Sequence, residues 1–199
     1  VSKNSNPLRG VSLALAAFAV FSTHDVVVKS LGGSYSPIQT IFFCVLFGFP
    51  LVTFVLLRDQ TVANLIPKHP AWSGARTLAT VVAGLCTFHA FSTLPMAQVY
   101  AILFASPMVV TILAIPMLGE KVGIHRGSAI AVGLTGVLVV VQPGATTLEL
   151  GHATALIAAL SGAFAAVVVR KVGSDERPVV LILYPMTANF VLMGCLLPF

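Results

Sequence analysis

Charge is what this sequence has least of. Lys, Arg, Asp and Glu together supply 9% of its 199 residues, where a soluble domain carries about a quarter. Apolar residues make up 57%, and the mean hydropathy is +0.99. A chain of that composition cannot clothe a water-facing surface, which excludes an ordinary soluble domain. Cysteine is scarce as well: three residues, with no Cys-x-x-Cys, exclude a disulfide framework and a redox pair. Eleven basic against six acidic residues leave a net charge of +5. The basic residues stand singly between apolar runs instead of forming a patch, so nucleic acid is not an expected partner. No glycine-rich phosphate loop and no Ser/His/Asp set in a plausible register is present, so neither a nucleotide nor another cofactor is expected.

What is present is a series of long stretches without a charged residue. They cover 30–57, 77–119, 127–148, 150–169 and 178–199, the second being 43 residues long. A helix needs about 20 residues to cross a hydrocarbon core. The 43-residue stretch is therefore two spans, divided at Thr93-Leu94-Pro95. The stretch 10–28 is apolar apart from His24 and Asp25. The pattern predicts an all-α integral membrane protein, a multi-helix bundle with spans over 10–30, 36–57, 74–93, 96–117, 127–142, 151–170 and 178–198. The basic start at Lys3 and Arg9 and the Ala17-Phe18-Ala19 segment imitate a cleaved leader. The apolar run continues through Val26-Val27-Val28, so the segment is read as a retained span.

Basic residues in short loops set orientation. With the N-terminus in the cytoplasm, ten of the eleven fall on the inner side (Lys3, Arg9, Arg58, Lys68, Arg76, Lys121, Arg126, Arg170, Lys171 and Arg177) and Lys29 alone on the outer. Trp72, just before the third span, is placed as an interfacial anchor.

The chain also repeats itself. Residues 10–57 align with 151–198 at a constant offset of 141, pairing Gly10 with Gly151, Gly32 with Gly173, Pro37 with Pro178, Phe49 with Phe190 and Lys29 with Arg170. The second copy begins five spans after the first, and an odd offset inverts it in the membrane. Inverted-topology repeats are characteristic of secondary transporters, whose cargo site lies between the repeats.

The segment from Ser92-Thr93-Leu94-Pro95 through Met96-Ala97-Gln98-Val99-Tyr100-Ala101, then Phe104-Ala105-Ser106-Pro107-Met108 and Gly119-Glu120-Lys121, resembles the fourth helix and following loop of the EamA family in the drug/metabolite transporter superfamily. The glycine-rich fifth span leading to Pro143-Gly144 fits the same family. The resemblance implies ten helices in two five-helix repeats. A cytoplasmic N-terminus (1–9), a first repeat (10–142), an external linker (143–150) and the start of a second repeat (151–199) are expected, with the chain ending inside the seventh helix. Members of the family move amino acids, nucleosides and other small metabolites, most often outward. The family often has Arg in the second helix where this chain has Cys44.

Charged and polar groups inside the membrane need partners or a watery cavity. Asp25 is the one acid in a span interior, with His24 beside it and Lys29 one turn on. It is the candidate proton-coupling carboxylate or cation contact, and a local Asp25–Lys29 pair is the plain alternative. His89, Gln98 and Tyr100 share its depth and are candidates for relaying protons or contacting cargo. His24, Asp25 and His89 contain no i, i+4 ligand pair, so no metal site is expected. Pro107, at the centre of the fourth span, is a candidate hinge because it frees the carbonyl of Leu103; Pro50 and Pro185 invite the same argument. Gly127, Ala129, Gly133 and Gly136 read as a close-packing face or a homodimer contact. Glu120-Lys121 reads as a solvated loop or a gating pair, and Tyr184 and Asn189 as residues facing the repeat interface.

Together these features predict a permease in the bacterial inner membrane, surrounded by the lipid bilayer and taking a small-molecule substrate. It would work by alternating access, exporting a small polar metabolite with proton coupling, or taking up a scavenged cofactor or metabolite. A lipid-modifying enzyme would need a headgroup-level cluster of acid/base residues, and Glu120, His125 and Arg126 are too sparse a set; no enzymatic activity is expected.

Overall fold

A computed structural model of the protein describes residues 7–58, 64–120, 122–142 and 149–197. Lys3, Lys121, Pro143-Gly144 and most of the expected linker lie outside the described residues. Among those described, every regular element is a helix: α1 (Pro7–Leu31), α2 (Pro37–Arg58), α3 (Pro70–Thr93), α4 (Met96–Leu103), α5 (Ser106–Leu118), α6 (Ile124–Val141), α7 (Leu150–Val172) and α8 (Pro178–Leu196). Six stretches are long and apolar enough to cross a membrane, namely α1, α2, α4 with α5, α6, α7 and α8. The protein is an all-helical, multi-pass membrane bundle.

Local chemistry sets most of the boundaries. α2, α3 and α8 open on proline, whose missing N–H is an orphan at the first helical position anyway. Ahead of α2, Ser36 Oγ accepts from the Gln39 N–H and Gln39 Oε1 accepts from the Ser36 N–H, both at 3.2 Å. This reciprocal cap satisfies two donors that lipid would leave bare. α3 stops at Leu94, held extended (φ −106°, ψ 156°) because Pro95 follows. α5 stops at Gly119 in the left-handed region (φ 70°). Within the spans, the hydroxyls of Thr23, Thr80, Thr111, Thr135 and Thr187 each donate to the carbonyl four residues back, so they enter the membrane already satisfied.

The fourth span is broken into two helices just before Pro107, where the sequence leads one to expect a kink. The proline ring cannot sit against the Leu103 carbonyl, so α4 ends there. The Phe104 N–H still reaches Tyr100 O (2.8 Å) and the Ala105 N–H reaches Ile102 O (3.0 Å) before the chain restarts as α5, with Pro107 in its first turn. The small-residue face of α6 is only partly a packing face. Gly133 lies against the Met108 side chain, whereas a methyl group at Gly127 or Gly136 would touch nothing described.

α3 begins at Pro70, four residues before the expected start of its span, and is more polar than its neighbours. It can be, because it packs against α1, α2, α4, α7 and α8. Its most extensive partner is α7, which presents buried Ala155, Ala158, Ala159, Ala163 and Ala165. Small residues let two backbones approach where lipid supplies no hydrophobic drive. The central cluster joins Val28 of α1, Ala90, Phe91 and Leu94 at the end of α3, Val99 and Ile102 of α4, Val141 of α6 and Ala155 of α7. α1 is far less covered: 6% of its apolar stretch is buried, against 39% of that of α7.

Candidate functional site

Three of the five candidate substrate or coupling residues come together. Asp25 on α1 accepts a hydrogen bond from the Tyr100 hydroxyl of α4 through Oδ2 (2.7 Å) and meets His24 Nδ1 through Oδ1 (3.1 Å). A carboxylate only accepts, so His24 Nδ1 carries the proton in that contact. His24 Nε2 then faces Cys44 Sγ on α2 at 3.9 Å, and the ring packs edge-on against Phe88 of α3. Tyr100 is fixed between Phe91 and Phe104. Tyr100, Asp25, His24 and Cys44 thus form one line of polar groups across three helices.

Lys29 does not pair with Asp25. Its ammonium donates to Phe91 O (2.7 Å) and Leu94 O (2.8 Å). These carbonyls close the last turn of α3, where the helix has run out of its own donors and carries partial negative charge. Lys29 therefore ties α1 to the end of α3. Lys29→Met is expected to cost about 1.5–3 kcal/mol, the range for hydrogen bonds to a charged group. Lys29→Arg should retain most of it, and unfolding midpoints of the purified protein in detergent would measure both.

His89 lies elsewhere. It lines a separate cavity of about 430 Å³ with Cys86, Leu150 and Thr154, and its buried Nε2 has no partner among the described residues. Gln98 sits in the first turn of α4, two residues before Tyr100, and lines neither this cavity nor the larger one described next. Pro107 is exposed in the first turn of α5. Tyr184 lines a third cavity with Thr77 and Thr187, away from Asp25.

The Tyr100–Asp25–His24 line leads into a cavity of about 460 Å³ between α1, α2, α3 and α8. Small-ligand sites run from about 300 to 1,000 Å³. α3 contributes Arg76, Thr80, Gly84 and Phe88, four residues apart and therefore on one face. α8 contributes Leu181, Pro185, Met186 and Asn189, while His24 and Cys44 close the far end. Most of the lining is apolar, with a few polar groups converging on it. Asn189 is buried at 9% exposure. Its Nδ2 donates to Pro185 O (3.0 Å), and its Oδ1 has no partner. Arg76 donates from Nη1 to the Leu181 carbonyl, and its buried Nε has no partner.

Arg76 is the residue that the sequence reading missed. With the charge-free run beginning at residue 77 and the span at 74, Arg76 reads only as an inner-side charge at the span's first turn. The missed signal was Pro70: a proline at a helix start would have placed Arg76 two turns inside α3, in register with Thr80, Gly84 and Phe88.

At the end of the bundle where α3 begins, Arg170 of α7 pairs with Glu120 behind α5. Lys171 stands over the Trp72 ring at 4.3 Å. Glu176, 5% exposed, accepts from the His69 N–H at 2.6 Å, and Asp175 lies 3.6 Å from His69 Nε2. The second half of the expected Glu120-Lys121 pair, Lys121, is outside the described residues; Glu120 is taken by Arg170.

Comparison with known proteins adds an independent line of evidence. Residues 8–142 match the EamA-like transporter family. A riboflavin transporter of Vibrio cholerae is 26% identical over 199 aligned positions, which cover 92% of this chain. The chain spans 63% of the length of that relative. No solved structure matches this chain.

Proposed function

This chain belongs to the EamA-like transporter family, and on that premise we propose that it carries a small polar metabolite outward across the bacterial inner membrane. The transport is alternating access, with the N-terminus in the cytoplasm, a first repeat at 10–142 and a second beginning at 151. The cargo occupies the cavity between α1, α2, α3 and α8. One observation carries this reading: the cavity lies between helices of the two sequence repeats and holds buried polar atoms, Arg76 Nε and Asn189 Oδ1, that no described residue satisfies. An unpaired polar atom buried among apolar groups costs about 1–3 kcal/mol, and a bound polar molecule would recover that cost. The Tyr100–Asp25–His24 line beside the cavity is the proton-coupling element. The α4–α5 break before Pro107 is the hinge, because backbone groups released there can re-pair as the helices move.

The name of the Vibrio cholerae relative favours a second reading, in which the cargo is a cofactor of the flavin kind. Transport assays on the full-length protein in liposomes separate the two. Labelled amino acids, nucleosides and riboflavin are offered under a pH gradient of either sign. Gradient-driven movement of a polar metabolite is the expected result. Movement of riboflavin alone would establish the second reading, and no movement of any compound under either gradient would defeat both.

A further inference from the structure

Arg76 is a guanidinium in the second turn of α3 with no acid among the described residues to meet. Among the described residues no carboxylate lies within ion-pair distance of it: Glu120 is held by Arg170, Asp25 by Tyr100 and His24, Glu149 caps the start of α7, Asp175 lies at His69, and Glu176 accepts from the His69 backbone. A cation in a span is costly and marks a pathway or a partner by default. Arg76 lines the cavity. Of the five donors on its planar fork, the Leu181 carbonyl takes one and Nε stands buried and unsatisfied. That fork matches a carboxylate in two-point fashion.

The second unsatisfied atom defines the other end. Asn189 Oδ1, an amide oxygen, can only accept, while the amide nitrogen gives one of its two N–H groups to Pro185 O. Asn189 lies eight residues beyond Leu181 on α8, roughly 12 Å along the helix axis at 1.5 Å per residue. Between them the wall is Ile182, Pro185 and Met186 from α8, facing Thr80, Gly84 and Phe88 from α3. The two polar ends therefore call for an acceptor-bearing anion and a donor separated by an apolar middle.

We propose that Arg76 anchors a carboxylate of the transported molecule while Asn189 accepts a hydrogen bond from an N–H or O–H group near that molecule's other end. The cargo is then an elongated organic acid larger than a single amino acid. This inference rests on the cavity being the cargo site, as argued above.

The test uses the full-length protein in detergent and in liposomes. The probes are N-acetylphenylalanine and phenylalanyl-glycine, each against its C-terminal amide, with riboflavin as a neutral comparison. The acids are expected to raise the unfolding midpoint and to compete in transport about tenfold to a hundredfold better than their amides, the range for a lost charge-assisted hydrogen bond. Arg76→Gln should erase that difference, and Arg76→Lys, which keeps the charge and guards against simple misfolding, should retain part of it. Asn189→Ala should weaken acid and amide alike. Equal binding of acid and amide, binding of neither, or an acid preference that survives in a folded Arg76→Gln protein would each overturn the proposal. Riboflavin movement in the same liposomes would then show that the transporter reading stands without it.

Discussion

Asp25→Asn is expected to uncouple transport from the proton gradient while leaving the fold intact. The asparagine has the shape of the aspartate. Its amide oxygen can still accept from the Tyr100 hydroxyl, and its amide nitrogen can donate to His24 Nδ1 once that ring changes tautomer. What it cannot do is gain or lose a charge. Gradient-driven accumulation should fall about tenfold to a hundredfold, the consequence of replacing a charge-assisted contact by a neutral one. Exchange of cargo across the membrane without a gradient should continue, because exchange needs the hinge and the cavity but no proton. Tyr100→Phe removes the one donor that Asp25 Oδ2 meets and should produce a milder version of the same loss. In the Asp25→Asn background, Tyr100→Phe should add little, since the two changes act on one contact. If Asp25→Asn leaves gradient-driven accumulation and its pH dependence at wild-type levels, the coupling role assigned to Asp25 is wrong.

The second large effect concerns two glycines in the same register of the sequence repeat. Gly151→Ala is expected to destabilise the protein by about 1–3 kcal/mol, the usual cost of forcing a methyl group into a packed site. Gly10→Ala is expected to be neutral or to stabilise by about 0.5–1 kcal/mol, the ordinary preference of a helix for alanine over glycine. A methyl at Gly151 would stand 2.7 Å from Leu94 Cγ and would also collide with the Thr93 hydroxyl. Leu94 is 2% exposed and locked into the central cluster, so it has no room to retreat. A methyl at Gly10 would meet nothing within 4 Å among the described residues. Gly151→Val should be worse than alanine, with loss of folded protein in detergent. Thermal unfolding of the four single variants, Gly→Ala and Gly→Val at each site, reads the result. Equal effects at the two positions would mean that α7 is not held against the α3–α4 corner as described.

The repeat explains why these two sites look alike in sequence and differ in space. Matching residues at a 141-residue offset say that two segments share a local conformation. They do not say what each segment packs against. α7 is pressed along α3 by its alanine face, whereas α1 meets the end of α3 chiefly through Val28 and Lys29. The same holds for their basic partners in the alignment: Lys29 closes the end of α3, and Arg170 pairs with Glu120.

The membrane class, the helical content and the approximate position of each span followed from composition and from the spacing of charge, because burial in lipid penalises every unpaired charge and every bare backbone group in the same way wherever it falls. The helix starts at Pro37, Pro70 and Pro178 and the cap formed by Ser36 and Gln39 are equally local, and short-range chemistry decides them. The prominence of Asp25 could also be read directly, since an acid inside a span stands out against its neighbours. Its partners could not. Shared depth made His89 and Tyr100 equal candidates, yet only Tyr100 turns toward Asp25 while His89 lines a separate cavity with residues of α2 and α7. That choice depends on the rotation of α3 and α4 about their axes, which is set by how the alanine face of α7 seats on α3. The cavity at Arg76 and Asn189 likewise exists only once α3 and α8 lie side by side, because these residues are more than a hundred positions apart in the chain. Sequence alone determined what must be in the membrane; which polar groups meet there was decided by packing, since contacts between distant segments depend on helix rotation that local periodicity leaves free.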